Sequence, residues 1–167
     1  MEGRKAFKPL FWDDSKILIL GTIPSSSSIE KGEYYYHYMN YIWDYLAKIY
    51  GVVKPKSWPE KKTFLQMNHI ALWDMYAYSE TSGSSDKGLG EFNNLSGFLE
   101  EHQTITKVLL NGKKTSQAFR QYKKTGHVLS DAIKVYDLPS TSGANTRMPR
   151  ERALLEWKVA CLDSVCK

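Results

Sequence analysis

Ile17-Leu18-Ile19-Leu20-Gly21-Thr22-Ile23-Pro24-Ser25-Ser26-Ser27-Ser28 is an apolar run that stops at a glycine and opens into small polar residues. A short apolar run bounded by turn signals reads as a strand buried on both faces, and we place it over residues 15–20. An aromatic-rich segment follows, Tyr34-Tyr35-Tyr36-His37-Tyr38-Met39-Asn40-Tyr41-Ile42-Trp43. It carries one amide, Asn40, into the start of a helix. In open α/β sheets, ligands bind beyond the carboxyl ends of strands. This is the first such end in the chain, so a site is expected around it.

The rest of the chain repeats the alternation. Ile42, Leu46 and Ile49 recur at i, i+4 and i+7, predicting an amphipathic helix from about Asn40, with Gly51 as its stop. Pro59 opens a second helix to about Asn68. Ile70-Ala71-Leu72-Trp73 is a second strand ending at Asp74. A polar segment with Ser82, Gly83, Ser84, Ser85, Gly88 and Gly90 then reads as a flexible functional loop. A short helix is predicted over 95–102. Lys107-Val108-Leu109-Leu110 is a third strand, closed by Asn111-Gly112, with a helix over 115–122 after it. Ile133-Lys134-Val135-Tyr136 is the fourth strand, running into Leu138-Pro139-Ser140-Thr141-Ser142-Gly143-Ala144-Asn145. Pro149 opens a final helix, whose Leu154, Leu155, Leu162 and Val165 are expected to cover the sheet. Strands alternating with helices give an α/β fold with a parallel sheet covered on both faces. No repeat or linker divides the chain, so we expect one domain over 1–167. The Ser/Gly/Thr/Asn-rich segments all follow strands and should converge on one edge.

Composition narrows the class. With 42% hydrophobic and 25% charged residues, the chain has the make-up of a folded domain and not of a disordered one. The net charge of +5 is compatible with a nucleic-acid or phosphate partner. Its two cysteines, Cys161 and Cys166, form no C-x-x-C, which argues against a structural disulfide or zinc site. No run nears the roughly 18 apolar residues of a membrane span, and none follows the charged N-terminal residues as a signal core would. An intracellular, cytoplasmic protein is the expectation.

Familiar catalytic signatures fail one by one. Gly112-Lys113-Lys114-Thr115-Ser116 resembles the end of a phosphate-binding loop. That motif needs Ser or Thr directly after Gly-Lys, and Lys114 intervenes; the earlier glycine is replaced by Lys107. No G-x-G-x-x-G follows a strand, and no serine sits in a G-x-S-x-G elbow. The histidines, His37, His69, His102 and His127, have no helical zinc spacing. No metal or cofactor is expected.

Three motifs in order carry a resemblance. They are Gly21-Thr22-Ile23-Pro24-Ser25, the Tyr-Tyr-x-His-x-x-Asn-x-x-Trp pattern ending at Trp43, and Leu138-Pro139-Ser140-Thr141-Ser142-x-Ala144-Asn145. Together they resemble the uracil-DNA glycosylase superfamily, and most closely its hypoxanthine-DNA glycosylase branch, family six. Leu72-Trp73-Asp74, Gly83-Ser84-Ser85-Asp86 and Leu110-Asn111-Gly112-Lys113-Lys114 fall in the right order as well. The resemblance spans nearly the whole chain. It implies a three-layer α/β/α fold with a central four-stranded parallel sheet. It implies removal of a deaminated base, hypoxanthine with uracil or xanthine as further candidates, from DNA by a cofactor-free monomer. Much of the superfamily handles the attacking water from the first motif, where this chain has Thr22 and Ile23. In the hypoxanthine branch an Asn on the following helix takes that part, and Asn40 matches it. Two departures stand out: Tyr38 and Gly143 occupy positions where the branch usually has proline, which bears on substrate range and loop stiffness.

A glycosylase takes its base out of the stack into a pocket. It needs an aromatic face, amides that read the base and a group that places water at the anomeric carbon. The resemblance assigns the pocket to Gly21, Thr22, Ile23, Pro24, Ser25, Tyr35 and Asn111, with Tyr35 as the stacking ring. Core packing is the competing reading for Tyr34, Tyr35 and Tyr36, and helix capping for Asn40. Ser140, Thr141, Ser142, Gly143, Ala144 and Asn145 suit close approach to DNA, with hydroxyls and backbone N–H groups for phosphates. Part of this loop is expected to enter the gap left by the flipped base. Arg147, with Arg150 and Arg152, extends phosphate contact or forms a solvated helix start. Rival functions are a uracil- or mismatch-directed glycosylase and a non-catalytic damage binder on the same fold. A nucleotide-binding module lacks its phosphate motif.

Overall fold

Each strand of the main sheet is a five-residue segment, and the first three are almost wholly buried. The computed structural model describes residues 4–79 and 90–164. The segment with Ser82, Gly83, Ser84, Ser85, Asp86 and Gly88 lies outside them, as do Val165 and Cys166. In chain order the elements are β1 (Arg4–Lys5), β2 (Ile17–Gly21), α1 (Ser26–Lys31), α2 (Ile42–Tyr50), α3 (Trp58–Met67), β3 (Ile70–Asp74), β4 (Tyr78–Ser79), α4 (Leu95–Glu101), β5 (Lys107–Asn111), α5 (Lys113–Lys124), β6 (Lys134–Leu138) and α6 (Arg150–Leu162). β1 and β4 form a small antiparallel pair.

The four-stranded sheet runs β3-β2-β5-β6, and every pairing is parallel. Alternation along the strands splits the core into two layers. Ile17, Ile19, Ile70, Leu72 and Leu109 face α2, α3 and α6, with Trp157 and Leu65 fully buried there. Leu18, Leu20, Ala71, Val108 and Leu110 face α4 and α5, against Phe98, Leu99, Phe119 and Tyr122. The fold is therefore the expected three-layer α/β/α sandwich. β2 pairs first with β3 on one side and then with β5 on the other. The strand order reverses there, and a crevice opens at the carboxyl ends of β2 and β5.

Element ends follow local chemistry. Gly51 closes α2 at φ 68°, a left-handed conformation that glycine adopts without Cβ strain. The Ser57 hydroxyl accepts from the Glu60 N–H, and Pro59 sits in the first turn of α3, as expected. Helix α1 was not legible: Ser-Ser-Ser-Ile-Glu-Lys is a poor helix sequence, sustained by the Ser25 cap.

The final helix requires a correction. Leu155 and Leu162 do not cover the sheet; they are 59% and 51% exposed. The buried face carries Ala153, Trp157, Ala160 and Cys161, with Leu154 partly covered. Trp157 sets this rotation. Its ring fills the core, its indole N–H donates to the Pro139 carbonyl at 2.9 Å, and the two alanines allow close approach. The buried Lys107 ammonium donates to the Ala160 and Cys161 carbonyls at the helix end.

Trp157 therefore couples the core to the loop after β6. Trp157→Phe should lower unfolding free energy by about 1–3 kcal/mol, from lost volume and an unpaired carbonyl. Urea denaturation checks this; an unchanged midpoint would show that the indole N–H does not hold the loop.

Candidate active site

A cleft of about 620 Å³ opens at the carboxyl ends of β2, β3 and β5, closed on one side by the loop after β6. Its size lies within the usual range for small-molecule sites. Gly21, Thr22, Ile23, Pro24 and Ser25 line it, as do Tyr35, Asn40 and Asn111. So do Ser140, Thr141, Ser142, Gly143 and Ala144. Asn145 and Arg147 lie outside its wall: the Asn145 amide donates to the Ser140 carbonyl at 3.1 Å, and Arg147 is exposed. The three motifs, distant in sequence, thus meet at one place.

The first motif is mostly scaffold. Thr115 gives its hydroxyl proton to the Asn111 carbonyl at 2.9 Å, so Thr22 is the donor in the 2.9 Å contact between the two threonines. Ser25 caps α1 and donates to Ser28, whose oxygen in turn accepts from the Tyr36 N–H at 3.1 Å. That bond steadies the tyrosine run, in which the three rings have three fates. Tyr34 is buried, its hydroxyl donating to the Lys8 carbonyl at 2.8 Å. Tyr36 is partly exposed beneath the Lys31 ammonium. Tyr35 turns into the cleft, with its backbone at φ 53°. A left-handed conformation is costly for a large side chain and is kept only where surroundings enforce it. Here the Trp43 indole N–H, from α2, grips the Tyr35 carbonyl at 3.0 Å.

Tyr41 stands at the N-cap position of α2 but its side chain makes no capping bond; the Asn40 side chain supplies one to the first helical N–H. Asn40 Oδ1 accepts from the Ile42 N–H at 3.1 Å and from the Thr141 hydroxyl at 2.7 Å. Thr141 is itself the centre of a chain. Its hydroxyl oxygen accepts from Asn111 Nδ2 at 2.9 Å, and its N–H donates to Asn111 Oδ1 at 3.0 Å. Two backbone N–H groups, of Ile42 and Thr141, can only donate, so they fix which way both amides face. Protons therefore point one way, from Asn111 through Thr141 to Asn40. Both lone-pair positions of Asn40 Oδ1 are occupied, which leaves Nδ2 as the amide edge for a ligand.

The loop after β6 is held by its own backbone. Ser140 Oγ accepts from Ser142 N–H, Ser142 Oγ from Ala144 N–H, and Asn145 N–H donates to the Ser142 carbonyl. The amides of Thr141, Ser142, Ala144 and Asn145 are thus engaged inside the protein. This narrows the backbone N–H groups this loop can turn to phosphate, and the serine hydroxyl protons are further donors. Gly143 presses against the aromatic segment, and a Cβ there would lie 2.6 Å from the Met39 carbonyl oxygen. Arg150 lies over the Tyr41 ring at 4.0 Å, so it braces α6 against the start of α2.

Sequence reasoning left five residues of the cleft wall unassigned, Ser28, Tyr34, His37, Met39 and Asp74, and among them Asp74 is a buried acid. It ends β3 in register with Gly21 and is 4% exposed. A Cβ on Gly21 would come within 2.6 Å of Asp74 Oδ1 and 3.2 Å of the Tyr35 hydroxyl, so only glycine lets these groups converge there. Burial pushes the Asp74 carboxyl up to about 7. Burial, and then Asp74, raise the hydroxyls of Tyr34 and Tyr35 above the usual tyrosine range. A signal existed: an acid closing an otherwise apolar strand. Among the described residues no cluster of His, Cys, Asp or Glu suits a metal ion.

No family model matches the chain. Relatives do. It is 31% identical over 158 residues to a hypoxanthine DNA glycosylase of Methanosarcina acetivorans, covering 93% of this chain and 96% of that protein. It is 30% identical over 152 residues to a hypoxanthine DNA glycosylase of Methanosarcina barkeri, covering 89% and 92%. The chain belongs to the hypoxanthine DNA glycosylase family. The solution structure of a candidate uracil DNA glycosylase from M. acetivorans matches this glycosylase with a TM-score of 0.77 at 29% identity, over 96% of this chain and 95% of that one. The superfamily resemblance read from the three motifs holds, and the chain is a DNA glycosylase. No helix among the described residues is long and apolar enough to cross a membrane.

Because Thr141 joins both amides of the glycosylase cleft, Thr141→Val should cost about 1–3 kcal/mol by leaving partly buried partners unpaired, and Thr141→Ser should restore most of it. Thermal midpoints of the two variants check this; equal midpoints would remove the hydroxyl from the network.

Proposed function

We propose that this glycosylase hydrolyses the N-glycosidic bond of deoxyinosine in DNA, releasing hypoxanthine. The observation that carries the reading is the pairing of Asn40, held by the proton chain from Asn111 and Thr141, with the Tyr35 ring in a cleft large enough for a purine. The names of the two Methanosarcina relatives support the choice of base. Uracil and xanthine present a similar –NH–C(=O)– edge and are the other candidate bases. The protein acts as a monomeric single domain on DNA inside the cell and uses no metal or redox cofactor.

Each residue then has a part. The flipped base stacks on Tyr35, whose enforced backbone keeps the ring in place without reorganisation. Bond cleavage leaves the sugar oxocarbenium-like, and such a centre needs water in the right position more than it needs a strong base. Asn40 meets that need: a neutral carboxamide cannot take a proton, and its Nδ2 edge holds the water oxygen. Placement, not proton abstraction, is its contribution. Ser140 and Ser142 give hydroxyl protons to phosphate oxygens, and the exposed Arg147 adds charge at the rim. Tyr38, 84% exposed with its ring stacked on His37, stands beside the cleft as an apolar wedge for the gap left by the base. No lysine among the described residues lines the cleft, and strand scission follows only when alkali cuts the abasic site.

The test is a gel assay on duplexes and single strands containing deoxyinosine, deoxyuridine or deoxyxanthosine, developed with alkali. Excision of hypoxanthine is expected; tight binding without excision of any base would make the protein a damage sensor. Asn40→Ala should slow single-turnover excision by roughly 10²-fold or more while affinity for a stable abasic-site analogue holds. A near-normal rate with a lowered thermal midpoint would reduce Asn40 to a structural residue. Tyr35→Ala should weaken binding of DNA carrying the flipped base by about 1–3 kcal/mol, the scale of base–aromatic stacking. Unchanged affinity would place the base elsewhere.

A further inference from the structure

Asp74 has no part in the proton chain, yet it is the most deeply buried ionisable group on the cleft wall. Its Oδ2 has no hydrogen-bond partner among the described residues, and neither has the Tyr35 hydroxyl. Buried polar atoms in native structures are nearly always paired. The Asp74 carboxyl, through Oδ1, and the Tyr35 hydroxyl converge over Gly21 on the wall of one cleft, and the carboxyl's unpartnered Oδ2 and the hydroxyl are groups awaiting a ligand.

The surroundings decide which form of Asp74 meets that ligand. Tyr34 and Tyr35 are the ionisable groups that face it, and both stay neutral. Asn111 beside them is uncharged, and among the described residues no ion pair includes Asp74. His37 is the remaining ionisable group on the cleft wall, out at the exposed aromatic segment. With no cation among the described residues to favour the carboxylate, desolvation favours the acid.

We infer that Asp74 acts in base excision as a neutral carboxylic acid, donating its O–H to the flipped base and stabilising the negative charge that the base acquires as it leaves. The inference rests on the glycosylase reading of the cleft. When the C1′–N bond breaks, its electron pair goes to the base. A donor on the base strengthens as that charge grows, whereas a carboxylate in the same place would repel it. Water then bonds to C1′, and its proton passes in net to the released base, so Asp74 ends the cycle as it began. Donation in this form also ties activity to pH. The acid is present below the raised pKa of Asp74, about 7, and is lost tenfold per unit above it.

The experiment is single-turnover excision of deoxyinosine from about pH 5.5 to about pH 9, with wild type, Asp74→Asn, Asp74→Ala and His37→Gln. The wild-type rate should fall above a midpoint near 7. Asparagine keeps an N–H donor of the same shape, so Asp74→Asn should run within roughly tenfold of wild type at low pH and lose the alkaline fall. Asp74→Ala should be slower by about 10²-fold or more throughout, the scale of one lost transition-state donor. His37→Gln should retain the fall. Thermal midpoints show that the variants are folded, and Asp74→Asn keeps the test open should Asp74→Ala not fold. A fall that persists in Asp74→Asn, or vanishes only in His37→Gln, overturns the inference, as does Asp74→Ala at a near-wild-type rate. Those results leave the enzyme's function standing. A wild type that excises no deaminated base overturns the function and this inference together.

Discussion

Everything at the active end of this protein depends on β2 being paired on both edges and covered on both faces. Its backbone groups are spent in two parallel ladders, to β3 and β5, and its side chains fill both core layers. Such a strand can expose chemistry only at its end. It stops at Gly21, and the absence of a side chain there lets Asp74 and Tyr35 close over the strand terminus. A parallel sheet brings the ends of β3, β5 and β6 to the same edge, so Asp74, Asn111 and the loop after β6 meet the first motif there.

The site built there is rigid because backbone donors dictate side-chain orientation. Ile42 and Thr141 N–H groups fix Asn40 and Asn111, and the Thr141 hydroxyl transmits one proton direction between them. The Trp43 and Trp157 indoles, one from α2 and one from α6, hold the Tyr35 and Pro139 carbonyls. Preorganisation of this kind suits a reaction in which placement counts for more than acid–base strength. The unpaired Asp74 oxygen and the Tyr35 hydroxyl are the exceptions in this otherwise satisfied site.

The two departures from the family pattern turn out to be neighbours. Gly143 lies against Met39, next in sequence to Tyr38. A proline at 143 also carries a Cβ and would meet the Met39 carbonyl, so this chain's aromatic segment sits where a proline-bearing loop could not approach. With Tyr38 on that same segment projecting into solvent, the pair changes the rim of the cleft and leaves its floor alone.

Much was legible in the sequence. The apolar runs at 17–20, 70–73 and 107–110 announce doubly buried strands because a strand covered on both faces has no polar alternation. Gly51 and Pro59 mark helix ends through φ and the missing N–H, and the site motifs follow strands as the α/β rule requires. The face of α6 was not legible: its leucines outnumber its one tryptophan, but the volume and N–H of Trp157 decide which side turns inward. Nor was the role of Asp74. A sequence shows an acid at the end of a strand; only packing shows that it is desolvated, unpaired and beside Tyr35. The direction of the proton chain likewise joins residues 40, 111 and 141. Residue type and order therefore determined the elements, the sheet and the place of the site. Which elements pack together decided the burial that raises the Asp74 carboxyl and the long-range hydrogen bonds that orient the two amides.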